Sequence, residues 1–311
     1  MTAAQQKHTT YGILLAIVAV LIWSGNFVIA RGIYKQVPPV SLAFYRWATA
    51  SIIILPIAFR SLKKDWTLIK QSWKIILFAS ITGVTLFNSF IYIGAHYTSA
   101  INLALIGNTV SPITSVILAA IFLNEKITKI KLGGILLCLT GILFLLSKGS
   151  LQNLLALHFS AGDGWVTLAA LSFAVYNIFV RKKPASIAPL SFLGATFITG
   201  TLILFPFFLW ESSSQLTTWD TNLYFIIIYL GLGTSIISFF CWNYSIKQIG
   251  AGRTSLFGNL IPVFSSIEAV LFLREPFTVI HMVSIVFVFA GLILANISSR
   301  NKNALVKQEH S

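Results

Sequence analysis

Two full charges, Arg46 and Glu268, lie inside long apolar runs of this 311-residue sequence. At about 1.5 Å of rise per helical residue, Arg46 lies about 9 Å in from Val40 and Glu268 roughly 8 Å in from Leu273. A charge at the centre of a bilayer costs about 2.5–3.5 kcal/mol on insertion scales. A mutual ion pair or a shared water-filled vestibule would offset that cost. Arg46 has a second option, snorkelling its long stem to the interface. A guanidinium held at that depth can bind a carboxylate, and a carboxyl group there can pass a proton.

Polar and aromatic residues recur near these charges at helical spacing. Thr85, Asn88, Tyr92 and His96 follow one another at intervals of three, four and four, which places them on one helix face. The residues 150 positions later are Ser235, Ser238, Trp242 and Ile246. Two such stripes would line a common cavity, or alternatively supply hydrogen bonds between helices. Trp23 with Asn26, and Ser172 with Tyr176, show the same spacing. Asn108 and Asn259 precede Pro112 and Pro262, where a missing N–H and a ring clash loosen the helix and free backbone carbonyls. Such a site could hold an ammonium or hydroxyl group; equally, the proline could only shape a bend. The candidate binding residues are therefore Trp23, Asn26, Arg46, Asn88, Tyr92, Asn108, Tyr176, Ser238, Trp242 and Asn259. Glu268, Arg46 and His96 are the candidates for coupling or gating.

No pattern for catalysis or cofactor binding accompanies them. The sequence has no Gly-x-x-x-x-Gly-Lys phosphate cradle, no His-Glu-x-x-His, no Gly-x-Ser-x-Gly and no Cys/His cluster. The five histidines are scattered, and no metal or other cofactor is expected.

The elements that position these residues follow from composition. At 56% hydrophobic and 10% charged, with a mean hydropathy of +0.84, the chain is far more apolar than a soluble domain. Apolar windows long enough to cross a bilayer fit ten times, at 11–34, 40–60, 73–97, 99–123, 129–147, 162–181, 189–210, 222–247, 251–273 and 278–298. The first reads as a span and not a secretory leader, since it is long and no small-x-small site ends it. The longest remaining pieces, 61–72 and 148–161, are too short for a soluble domain. Cys138 and Cys241 fall within spans and read as small buried hydrophobes.

The net charge of +14 reads as topology, not as nucleic-acid binding. With the amino terminus inside, 17 of the 22 basic residues fall on the inner side, while Arg31, Lys35, Lys148 and Arg274 fall outside. Both termini are then cytoplasmic, and anionic phospholipids at that face are the expected partner of the basic loops.

The chain also repeats itself. An offset of 150 pairs Arg31 with Arg181, Pro39 with Pro189, Pro56 with Pro206, Gly83 with Gly233, Pro112 with Pro262, Glu125 with Glu275 and Gly141 with Gly291. Within residues 112–128, eight of 17 positions are identical to 262–278. Each half holds five spans, an odd number, so the second half enters the membrane from the opposite side. The expected fold is all-α: ten transmembrane helices as two inverted five-helix repeats, 11–147 and 162–298, joined by an outer linker 148–161 and flanked by tails 1–10 and 299–311. Inverted halves let one central site open to either side, which points to a transporter. Glu125 and Glu275 close their spans three residues before a Thr that can cap the next helix, so each carboxylate is expected near that helix start. Gly134, Cys138 and Gly141 form a small-residue face suited to close helix packing.

Several of these motifs carry a resemblance. Trp-Ser-Gly-Asn-Phe at 23–27, Arg46, Asn-x-x-x-Pro at 108–112, Leu-Asn-Glu at 123–125 with Gly133, Gly134 and Gly141, and the second-half set Pro262, Glu275 and Gly291 resemble the EamA-like branch of the drug/metabolite transporter superfamily. The resemblance spans residues 11–298. It implies a multi-pass protein of the bacterial inner membrane, acting as a monomer or homodimer, that moves a small polar, amino-acid-like metabolite, with export as the preferred direction. An importer or exchanger of a nucleoside-like compound such as S-adenosylmethionine is the first alternative. An intramembrane enzyme or lipid-handling protein is an alternative of a different class.

Overall fold

Long apolar stretches with few helix breakers leave the backbone one local way to satisfy its N–H and C=O groups away from water, the helix. The computed structural model describes residues 3–98, 100–125, 127–155, 160–264, 267–268 and 278–308, and among these no strand occurs. In chain order the helices are α1 (Ala3–Gly32), α2 (Pro39–Gln71), α3 (Trp73–Tyr97), α4 (Ala100–Leu123) and α5 (Lys129–Leu146). After a short helix, Leu151–Leu155, come α6 (Ala161–Lys182), α7 (Pro189–Ser212) and α8 (Thr221–Ile249). α9 (Ala251–Leu256) runs through a 3-10 turn, Phe257–Leu260, into helical residues 261–264, and α10 is Val279–Gln308. Six described stretches are long and apolar enough to cross a membrane: His8–Asn26, Pro39–Gln71, Trp73–Tyr97, Ala161–Lys182, Pro189–Ser212 and Thr221–Ile249.

Two local expectations change. Residues 61–71 are not a link but the continuation of α2, because nothing between Ser61 and Gln71 breaks a helix and Asp65 and Ile69 are buried there. The prolines at 112 and 262 also behave differently. α4 passes through Pro112 as continuous α-helix, whereas Pro262 follows a tightened 3-10 turn.

Helices 150 residues apart in sequence lie side by side and antiparallel. On α2 and α7, Ser51 meets Thr201 hydroxyl to hydroxyl at 2.9 Å. On either side of that crossing, Ser41 donates to Glu211 at 2.8 Å and Ser61 meets Ser191 at 2.6 Å. Each flanking contact is the other displaced by 150 residues. α5 and α10 repeat the arrangement: Cys138 Sγ donates to the Val288 carbonyl at 3.4 Å, and Ser284 Oγ to that of Gly141 at 2.5 Å. A Cβ at Gly134 would lie 2.6 Å from the Gly291 carbonyl, so the small-residue face does bring two backbones together. Between these two seams, α1, α2, α3, α6, α7 and α8 enclose a core of buried rings: Trp23, Trp47, Phe173, Tyr176, Phe197, Phe239 and Trp242.

Candidate functional site

The centre of the bundle is organised by two irregular turns. α3 widens into π-helix over Ile81–Leu86, and α8 does so over Tyr229–Ile237, which brackets the equivalent residues. A π turn lengthens the hydrogen-bond step to five residues and loosens the ladder around it. In α8, hydroxyls fill part of the gap: Ser235 Oγ donates to the Leu230 carbonyl at 2.8 Å and Ser238 Oγ to the Gly233 carbonyl at 3.0 Å. The Thr234 carbonyl faces inward and accepts Trp23 Nε1 at 2.7 Å and Arg46 Nη2 at 3.0 Å.

Arg46 is only 1% exposed, so snorkelling is excluded. Besides the Thr234 carbonyl, its Nε donates to Ser235 Oγ at 2.7 Å, and its Nη1 to Asn26 Oδ1 at 3.2 Å and Tyr92 OH at 3.1 Å. Tyr92 in turn donates to Asn26 Oδ1 at 3.1 Å. The guanidinium carbon lies 5.1 Å from the centre of the Trp47 ring. Every group in this cage is neutral, and no carboxylate lies within 4.0 Å of Arg46 among the described residues.

The expected ion pair with Glu268 is therefore not formed. Glu268, half-buried, receives the Ser24 hydroxyl instead. Ser24 and Asn26 are two residues apart on α1, so the two charges attach to one short stretch of helix through neutral intermediaries. Neutral donors and acceptors stabilise each charge separately, which removes the need for direct contact.

The aromatic candidates form the wall beside this cage. Trp23 packs on Trp242 at 5.0 Å between centroids and edge-on against Phe239 at 5.4 Å. Trp242 Nε1 donates to Asn177 Oδ1 at 2.8 Å, and Asn177 Nδ2 to Ser115 Oγ at 3.2 Å. Tyr176 lies against Phe173 and donates to Asn243 Oδ1 at 2.7 Å. Asn88 and Asn259 are buried, and their amides have no hydrogen-bond partner among the described residues. His96 stands apart, half-exposed and edge-on to Tyr34. Among the described residues, Ser172 bonds only to its own helix, at the Leu168 carbonyl. The side chain of Asn108 lies outside the described residues, as do Arg274 and Glu275.

Sequence reasoning missed Asn177, Asn243, Phe239 and the Thr234 carbonyl. The signal for Asn177 was present: a buried indole N–H needs an acceptor, and Asn177 follows a residue already singled out. Glu125 has a neighbour that sequence reasoning did not supply. Thr128 does cap α5, accepting the Lys131 N–H at 3.1 Å. Glu125 pairs with Lys131 in the first turn of α5 at 3.9 Å and also reaches the start of α9 in the other half, where a Cβ on Gly252 would meet its Oε2 at 2.8 Å. Two further carboxylates sit at helix starts across the repeat seam. Glu211 accepts the Val40 and Ser41 N–H groups at 3.1 and 2.6 Å, and Asp65 accepts that of Ala188 at 2.9 Å.

The bundle of apolar helices thus encloses a caged guanidinium beside an aromatic wall. The profile of the EamA-like transporter family matches this chain twice, over residues 10–147 and 160–297, and the chain belongs to that family. It is 29% identical to the uncharacterized transporter YyaM of Bacillus subtilis (strain 168) over 294 residues, covering 93% of this chain and 94% of that one. It is 26% identical to an uncharacterized transporter of Archaeoglobus fulgidus, covering 90% and 96%. The WAT1-related protein At3g02690, chloroplastic, of Arabidopsis thaliana is 26% identical and covers 90% of this chain. A crystal structure 16% identical in sequence shares the fold, with a TM-score of 0.76 over 94% of this chain and 98% of its own. The protein is thus a multi-pass membrane transporter, and its bacterial relatives point to the inner membrane.

Proposed function

We propose that this chain is a secondary transporter that moves a small amino-acid-like metabolite by alternating access, with export as its preferred direction. One observation carries the reading: Arg46, fully buried, is held by four neutral partners and by no carboxylate among the described residues. A solute carboxylate would supply the missing anion, and the wall of Trp23, Phe239 and Trp242 would cover the solute's apolar part. Asn26, Asn88, Tyr92, Tyr176, Ser238 and Asn259 complete the proposed polar lining. Glu268 is assigned to proton coupling and His96 to gating. The antiparallel seams support two inverted five-helix halves, in which each half can adopt the other's conformation, and the inward bias of basic residues supports cytoplasmic termini.

Counterflow in proteoliposomes tests this. Purified protein loaded with an unlabelled amino-acid panel should accumulate the matching labelled amino acid. Counterflow of S-adenosylmethionine with no amino acid exchanged would transfer the site to a nucleoside-like solute, and absence of any solute movement together with turnover of a lipid would overturn transport. Glu268→Gln should keep downhill exchange and lose accumulation driven by a pH gradient; unchanged gradient-driven accumulation would remove Glu268 from coupling.

A further inference from the structure

The C-terminal ends of α6 and α8 and the start of α7 enclose a cleft of ≈ 80 Å³, at the end of the bundle where the basic residues collect. Arg181, Lys183 and Lys247 line it, with Phe192 and Asn243. We propose that this cleft is a binding site for one oxyanion group, a carboxylate or phosphate, carried either by a soluble anion or by a phospholipid headgroup.

Three observations support the assignment. First, three cations line it against one nearby carboxylate, Asp65, which accepts the Ala188 N–H at 2.9 Å. Arg181 Nη1 is anchored on the Lys247 carbonyl at 3.1 Å and Lys183 Nζ on that of Ile187 at 2.8 Å, which leaves further N–H groups on each. Burial, with Lys247 adding to it and Asp65 opposing, lowers the Lys183 pKa below the ordinary lysine value of 10.5. A bound anion would relieve that crowding. Second, Asn243 is 4% exposed, and although its Oδ1 accepts from Tyr176, its Nδ2 has no acceptor among the described residues. A buried amide donor without an acceptor is costly, and an oxyanion in the adjoining cleft would satisfy it. Third, the volume suits a single group, being well below the roughly 300–1,000 Å³ of pockets that enclose a whole ligand.

The duplication supplies an internal control. At the equivalent position of the other half, Ile33, Ile93 and Tyr97 stand where Lys183, Asn243 and Lys247 do; Arg31 matches Arg181, and Lys35 replaces Ala185. The repeated fold therefore does not require the polar set. The inward bias of basic residues accounts for lysines at this face but not for a buried amide behind them.

The experiment titrates full-length protein with inorganic phosphate in detergent, following its unfolding temperature. In parallel it compares vesicles of pure phosphatidylcholine with vesicles containing phosphatidylglycerol. The cleft variants are K183Q/K247Q, which neutralises two half-buried or exposed lysines, and Asn243→Asp, which keeps the acceptor for Tyr176 and places a negative charge at the floor. K70Q/K74Q removes as much charge from lysines outside the cleft, which stack on Trp66 and Trp73. Saturable stabilisation of the wild type by phosphate, weakened roughly tenfold or more in both cleft variants and unchanged in K70Q/K74Q, identifies a soluble-anion site. The same pattern with phosphatidylglycerol vesicles, and none with phosphate, identifies a headgroup site. Overturning results are cleft variants that behave as wild type toward both probes, or K70Q/K74Q losing as much as they do. Neither readout depends on transport, so failure of the proposed function would leave this test intact.

Discussion

Arg46→Met separates a binding role for Arg46 from a structural one. The guanidinium makes four hydrogen bonds, and a bond to a charged group contributes about 1.5–3 kcal/mol where both partners would otherwise be left unpaired. Burying it costs several kcal/mol in the opposite direction. The groups left behind decide the net effect, and each keeps a partner. Asn26 Oδ1 still receives Tyr92, the Thr234 carbonyl still receives Trp23, and Ser235 Oγ still donates to the Leu230 carbonyl. Methionine fills the space with no charge to desolvate. The expected loss of stability is therefore below about 2 kcal/mol, against the roughly 3–5 kcal/mol that follows when a buried charge is left without its partner. A solute carboxylate that has lost its cation forfeits about 2–5 kcal/mol of binding, roughly 30-fold or more in affinity. Thermal unfolding in detergent and counterflow of labelled amino acid, measured on the same preparation, read the two quantities. A variant that fails to fold would make Arg46 a structural clamp, and one that exchanges solute at the wild-type rate would remove it from the site; either result refutes the reasoning.

Three other outcomes are expected. Gly200→Ala would put a Cβ 2.3 Å from Val84 Cγ1 where α3 and α7 cross; it should cost about 1–3 kcal/mol, with Val84→Ala in the same chain restoring much of it, and a single variant that melts as wild type would show the crossing to be looser. Glu211→Ala removes the acceptor of two N–H groups and one hydroxyl at the start of α2, so the melt should show a loss of about 1–3 kcal/mol, with Glu211→Gln retaining part; equal melts for Ala and wild type would make the contact idle. Because burial lowers the Lys183 pKa below 10.5, its positive charge is lost earlier than an ordinary lysine's as pH rises; sulfate binding at the cleft should therefore weaken on the alkaline side before 10.5, and a flat profile up to that pH would contradict the placement of Lys183.

Much of the candidate site was legible because polar residues are rare in this chain and therefore conspicuous. Arg46, Asn26, Tyr92, Trp23 and Trp242 do meet at the centre. Along the stripes, the partners change where the helix changes pitch. Thr85 lies within a π turn and reaches the Gly200 carbonyl at 3.3 Å, and Ser238, just beyond the other π turn, bonds back to its own helix. A π turn adds a residue to the step, so a face drawn through it at spacings of three and four slips out of phase.

The sequence by itself determined the solvent, the duplication and the costly residues, since apolar run length, a fixed offset of 150 and the rarity of charge within spans can all be read along one dimension. Tertiary structure decided what those residues touch. Arg46 exchanged an expected carboxylate for a carbonyl and a hydroxyl on α8, Glu125 reached the start of α9 as well as that of α5, and Asn177 became the acceptor for Trp242. These partners lie 65 to 189 residues apart in several of the bonds that matter, and helix crossings and π turns bring them together; neither leaves a periodic trace in the chain.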